Sequence, residues 1–231
     1  IKKHHPAKCS IRRTRASKAR CSNCKHGLFL WYAVCDQIGN LSHGAMTGRM
    51  IEKIEVLIND LNPDYLMVYG DTNSTMAGAI AASKTKVKMV HIEAGLRSFN
   101  MNMPEEINRI VTDRLSDILF CPTTTAINNL KLEGFDNFVT KQKKKIRVEL
   151  IGDVMKDAAE YFSGFAEEKS TGPIREMVKL PFALCTLHRA ENLNDINRLQ
   201  NIFDALNEIS RQLKIVLPMH PGTKKTVEQL N

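Results

Sequence analysis

Tyr65-Leu66-Met67-Val68-Tyr69-Gly70-Asp71-Thr72-Asn73-Ser74-Thr75 is the stretch on which the fold turns. Asn62-Pro63-Asp64 breaks whatever precedes it, and the five apolar residues that follow have the length of a strand covered on both faces. Gly70 allows a sharp turn, and a helix is expected from about Thr75 to Ser83. Upstream, Met46, Met50, Ile54, Leu57 and Ile58 recur at helical spacing across Met46 to Asn59, with Lys53 and Glu55 off that face.

Downstream the rhythm repeats. Strands are expected at Val87 to Ile92, Asp117 to Cys121 and Ile146 to Ile151, with helices at Pro104 to Leu115, Thr125 to Glu133 and Val154 to Phe165. Strands alternating with helices require right-handed crossovers and a parallel sheet, hence a doubly wound α/β domain whose ligands bind beyond the carboxyl ends of the strands. Glu167 to Gly172 is polar and is expected as a linker. After it come a strand at Phe182 to Leu187, a helix at Asp195 to Gln212, a strand at Lys214 to Met219 and a helix from Lys224 to Leu230. Two strands do not close an independent core, so this second α/β domain is expected to be truncated.

The 231 residues are 43% hydrophobic, with no apolar run near about 18 residues, which excludes a helical membrane protein and wholesale disorder. The net charge of +8 is local. Residues 1–36 hold nine basic residues and one acid, leaving 24 of each sign in the remainder. That segment also holds four of the six Cys and three of the seven His. Cys21-x-x-Cys24 with His26 has the spacing of half a zinc site, but no second CxxC follows, so no metal is expected. An Arg-rich, acid-poor segment also suits a transit peptide. The abrupt change of composition near Gly39 favours a third reading, an end foreign to the fold that follows it. A basic zinc or nucleic-acid module in this tail is a minor alternative, since its basic residues carry no interleaved aromatics.

The chemistry-bearing residues sit at strand ends. Asp71 follows the first strand, where the nearby hydroxyls and helix N–H groups suit an anion or a simple helix cap equally. His91-Ile92-Glu93-Ala94-Gly95-Leu96-Arg97 ends the second strand, bringing Glu93 beside Asp71. Two carboxylates in one crevice drive their proton affinities apart, which suits acid–base work. Arg97 offers a planar fork for a phosphate or carboxylate. His91, among apolar neighbours, reads as a satisfied core histidine. Pro104-Glu105-Glu106-Ile107-Asn108-Arg109 begins a helix with Glu105 and Arg109 on one face, as a surface ion pair or as a third carboxylate held by Arg109. His188, Arg189 and His220 end the strands of the second domain, where they could meet a phosphate or move a proton. Cys121 and Cys185 read as packing residues. Neither GxxxxGK[ST], GxGxxG nor HExxH occurs, which argues against a kinase, a P-loop ATPase, a plain dehydrogenase and a zinc protease.

Taken in order, Tyr69 to Thr75, His91 to Arg97, Met103 to Arg109, Ile151-Gly-Asp-Val154 and Leu187-His-Arg-Ala-Glu-Asn192 resemble the non-hydrolysing UDP-N-acetylglucosamine 2-epimerases from about Leu41 to Asn231. The wording Arg97-Ser-Phe-Asn-Met-Asn-Met-Pro104 is nearer to the branch acting on diacetamido-glucuronic acid nucleotides. The resemblance implies a two-domain fold of the glycosyltransferase-B type with a UDP-sugar between domains. It implies inversion at sugar C2 by elimination of UDP to a glycal and re-addition, with no cofactor. By resemblance Asp71, Glu93 and Glu105 are the acid/base carboxylates, His188 is the essential histidine and Arg109 a neighbouring site residue. Arg97, Arg189 and His220 are assigned to substrate binding, and Arg49 resembles a residue that helps hold an activating second nucleotide. A glycosyltransferase of the same fold is the alternative enzyme.

The family opens with a strand and a Gly-Thr-Arg-Pro-Glu turn that residues 1–40 do not match, and its Ser-Gly-Gly-x-x-Glu-Glu-type loop would lie beyond Asn231. The expected organisation is therefore a tail at 1–38, an N-terminal α/β domain at 39–166 lacking its first strand, and the start of a nucleotide-binding domain at 167–231. Such a fragment could be inactive as it stands. The expected partner is a UDP-sugar, with no nucleic acid and no membrane. The intact protein is expected as a cytoplasmic homodimer.

Overall fold

The computed structural model describes residues 41–135, 146–169, 176, 180–187, 189–193, 195–219 and 221–228. The basic tail, its Cys21-x-x-Cys24 pair and the basic loop at 141–145 lie outside the described residues. The chain divides into two compact units after Ala158.

In the first unit the elements run α1 (His43–Leu61), β1 (Tyr65–Tyr69), α2 (Asn73–Thr85), β2 (Lys88–Ile92), α3 (Pro104–Leu115), β3 (Ile118–Cys121), α4 (Thr124–Leu132), β4 (Arg147–Leu150) and the start of α5 (Val154–Lys169). Ser42 caps α1 by accepting from the Ala45 N–H, and Asn62 ends it in the left-handed conformation. The four strands form one parallel sheet in the order β1-β2-β3-β4. Tyr69 pairs with Ile92, and Ile92 with Phe120, so the turns after β1, β2 and β3 emerge along one edge.

Met50, Ile54 and Ile58 of α1 pack with Leu66 and Val68 of β1, the alanines of α2 and Met89 of β2. A second cluster joins Ala94, Leu119, Cys121, Ala126, Leu130 and Phe135. The small residues of α2 let it lie close to the strands, and burial of this aliphatic surface is the main force holding the layers together.

Two expectations are corrected. β1 buries Leu66 and Val68 on one face, while Tyr65, Met67 and Tyr69 on the other remain exposed among the described residues. The polar stretch beginning at Glu167 is not a linker at its start, because α5 runs through Lys169.

In the second unit β5 (Phe182–Leu184) and β6 (Lys214–Val216) form a two-stranded parallel sheet, with α6 (Ala190–Leu193), α7 (Ile196–Ser210) and α8 (Pro221–Glu228) around it. Leu199 is the wholly buried residue of α7, and buried Thr223 donates its hydroxyl hydrogen to the Leu187 carbonyl at 2.7 Å. Among the described residues no helix is long and apolar enough to cross a membrane.

Candidate functional site

The turn after β1 is built by hydroxyls and a glycine. Gly70 takes a φ of +65°, a conformation that carries no penalty without a Cβ. Thr75 reaches back from α2 to donate to the Tyr69 carbonyl at 2.6 Å. Asn108 of α3 donates from its amide to the Asp71 carbonyl at 2.8 Å and to Asn73 Oδ1 at 3.2 Å. Asp71 is thereby fixed by its own backbone as well as by its side chain.

The turn after β2 is held by β3. The N–H groups of Glu93 and Ala94 both donate to the Phe120 carbonyl, at 3.1 and 3.0 Å. Glu93 sits at a φ of +73°, an uncommon and strained conformation for a residue with a long side chain.

Arg109 joins the two turns. Its side chain is 7% exposed, and one terminal nitrogen lies 2.5 Å from Asp71 Oδ2 and 3.9 Å from Glu93 Oε2. The other donates to the Glu93 carbonyl. The Asp71 and Glu93 side chains keep about a third of their surface open, at 33% and 30%. The guanidinium thus gathers two carboxylates that remain accessible. Arg109 does not pair with Glu105, its neighbour one turn earlier; Glu105 is exposed and makes no ion pair among the described residues. A cavity of about 200 Å³ lies here, with Asp71, Glu105, Leu96, Ser98, Met103 and Arg109 in its wall.

Behind this front stands a buried polar layer. The buried Glu106 carboxylate accepts from the Ser98 N–H at 2.8 Å, the Ser98 hydroxyl at 2.9 Å and the Phe99 N–H at 3.1 Å. Burial pushes this carboxyl up, but the Ser98 and Phe99 donors and the charge of Arg97 outweigh it and hold Glu106 below its ordinary value. His91 is wholly buried between Asp113 and the Gly70 carbonyl, the satisfied core histidine expected of it.

Arg97 lies in the same cavity wall, held by carboxylates of the protein. Its fork donates to both Glu133 oxygens at 2.6 and 2.9 Å and lies 2.8 Å from Asp113 Oδ2, with a side chain 1% exposed. Two carboxylates of the protein thus hold the guanidinium in place. Burial works against its charge, but Glu133 and Asp113 raise it further above its already high value.

His188 and His220 lie outside the described residues. Arg189 is exposed past the end of β5, where its carbonyl accepts from the Asn192 and Leu193 N–H groups. Arg49 is exposed on α1. Among the described residues no group of three or more His, Cys, Asp or Glu is arranged to hold a metal ion.

Asn108, Asp113 and the clamp made by Glu106 were not among the residues expected at the site. Their signal was present: Glu106, Asn108, Arg109, Thr112 and Asp113 recur at helical spacing, and all five are buried in α3.

A family model described as UDP-N-acetylglucosamine 2-epimerase matches residues 34–231. The chain is 53% identical over 190 residues to UDP-2,3-diacetamido-2,3-dideoxy-D-glucuronate 2-epimerase of Pseudomonas aeruginosa, covering 82% of this chain and 51% of that one. It is 45% identical over 194 residues to a UDP-N-acetylglucosamine 2-epimerase homolog of Methanococcus maripaludis, covering 83% and 51%. Among solved structures, the UDP-GlcNAc 2-epimerase of Methanocaldococcus jannaschii in complex with UDP-GlcNAc and UDP aligns with a TM-score of 0.72 at 40% identity, over 84% of this chain and 52% of that one. The UDP-GlcNAc 2-epimerase of Neisseria meningitidis bound to UDP-GlcNAc aligns with a TM-score of 0.69 at 29% identity, over 83% and 53%. The chain spans about half the length of the curated relatives it matches. These likenesses bear out the α/β architecture of glycosyltransferase-B type that the motif order implied.

Proposed function

Because the chain belongs to the UDP-N-acetylglucosamine 2-epimerase family, we propose that it inverts the C2 centre of UDP-N-acetylglucosamine to give UDP-N-acetylmannosamine. The observation that carries this reading is the meeting of Asp71 and Glu93 around Arg109, with Glu105 in the wall of the adjoining cavity. In the reaction the C2 proton and UDP leave, breaking the C–H and C1–O bonds and forming a glycal. UDP then re-adds to C1 while a proton reaches C2 from the opposite face. The isomerisation consumes no oxidant or reductant and needs a proton acceptor and a proton donor on opposite faces of the ring.

Three carboxylates arriving from the turn after β1, the turn after β2 and the start of α3 supply acid–base groups from separate directions. Arg109 at 2.5 Å presents Asp71 as an acceptor of fixed orientation, while Glu105 keeps its freedom at the cavity wall. In this reading His188 is the essential catalytic histidine, Arg189 and His220 bind the substrate, and Arg49 serves a second nucleotide. The enzyme is taken as a cytoplasmic homodimer, which light scattering and fractionation check.

The 53% identity to the diacetamido-glucuronate 2-epimerase favours that sugar as the alternative substrate. Incubating the folded protein in D2O with each nucleotide separately and following proton NMR tests both. The expected result is deuterium at C2 and a manno-configured product with one of them. Absence of exchange and product with both overturns the reading. A glycosyltransferase would leave C2 unexchanged and act only when an acceptor is supplied.

A further inference from the structure

His91 is wholly buried in β2, yet both ring nitrogens are engaged. Nε2 lies 2.8 Å from the Gly70 carbonyl oxygen, and Nδ1 lies 2.7 Å from Asp113 Oδ1. A carbonyl oxygen can only accept, so the hydrogen of the first contact is on Nε2; the second contact holds one more hydrogen between ring and carboxylate. Asp113, equally buried, turns its other oxygen to the Gly95 N–H at 3.1 Å and the Arg97 guanidinium at 2.8 Å. One carboxylate of α3 is thus tied through His91 to the turn that carries Asp71, and directly to the turn that carries Glu93.

We propose that His91 and Asp113 are a positioning pair that sets the separation of the two catalytic turns. The proposal rests on the reading above for the role of Asp71 and Glu93. His91 fixes the plane of the Gly70–Asp71 peptide by holding its carbonyl, and Asp113 fixes the amide two residues beyond Glu93. Each acts through the backbone, so it governs how well the carboxylates are aimed rather than whether the nucleotide binds. Misplacement of reacting groups by about 1 Å costs about 10²-fold in rate.

The test uses the full chain. In nitrogen-15 NMR of the histidine rings, His91 Nε2 is expected to carry hydrogen; a bare Nε2 overturns the pair. Asp113→Ala is expected to lose amide-exchange protection at Gly70, whose N–H donates to the Ile92 carbonyl, and at Gly95, while Leu66 and Leu119 keep theirs. It should lower kcat for C2 exchange by about 10²-fold, with little change in KM. Asp113→Asn should restore most of both, since its amide can donate to Nδ1 of an Nε2–H imidazole while its oxygen accepts from Gly95 and Arg97.

Equal loss of protection throughout the sheet, an unchanged kcat, or failure of Asp113→Asn to rescue overturns the proposal. If Asp113→Ala does not fold, the ring spectrum and Asp113→Asn still decide it. A wild-type chain without C2 exchange would overturn the epimerase reading instead, leaving the exchange protection and ring spectrum to decide the pair.

Discussion

Glu93 and Gly95 share positive φ values for opposite reasons. At Gly95, with φ +78°, an added Cβ would lie 2.5 Å from the Ala126 carbonyl oxygen, so the glycine is what allows the turn to lie against α4. Gly95→Ala is expected to lower stability by about 1–3 kcal/mol, measured by urea unfolding. Glu93 instead bears strain at a position where, under the proposed function, its carboxylate takes part in the chemistry. Glu93→Asn, which tolerates the left-handed region, should leave stability unchanged or raise it by up to about 1 kcal/mol while C2 exchange is lost. A parallel loss of stability and activity would refute that division. Asp71, Glu93 and Glu105 could be read as candidates because they stand at a strand end or a helix start. The engagement of Arg97 could not, because its partners Asp113 and Glu133 are 16 and 36 residues away and meet it only through the packing of α3 and α4.

Helix α3 inverts the usual pattern, with Ile107 exposed while Glu106, Asn108, Arg109, Thr112 and Asp113 face inward. Its boundaries were legible to the residue from Pro104 and Leu115, since a proline at the first helical position and the strand signal at Asp117 bracket it. Its inner face was not, because amphipathic reading assigns polar residues to solvent. Glu106 gives this element a measurable signature. Its carboxyl is held below the ordinary range of about 4.3, so its contribution to stability is complete above that range and is lost as pH falls through the lower folded value. Glu106→Gln should flatten the acid limb of the stability profile in that window and loosen the segment 97–103, read as faster amide exchange at Ser98 and Phe99. An identical acid limb in the variant would contradict the clamp.

Across the whole molecule, Cys121 reports on the sheet. It is wholly buried on β3, and burial, reinforced by the charge of Asp113 and opposed by that of Arg97, pushes its thiol up to about 12. At neutral pH its alkylation is expected to wait for opening of the sheet, while half-buried Cys185 reacts sooner. Peptide mapping after timed alkylation separates the two; equal rates would mean that the sheet opens locally at β3.

By itself the sequence determined the alternation of strand and helix, the parallel sheet it entails and the strand-end placement of the carboxylates, because hydrophobic period and turn chemistry are local properties of the chain. It did not determine which cation meets which carboxylate, nor that β1 would show one face bare among the described residues. Those outcomes belong to the tertiary structure, since ion pairs such as Arg109 with Asp71 link residues 38 apart in sequence that come together only when α3 packs across the sheet edge.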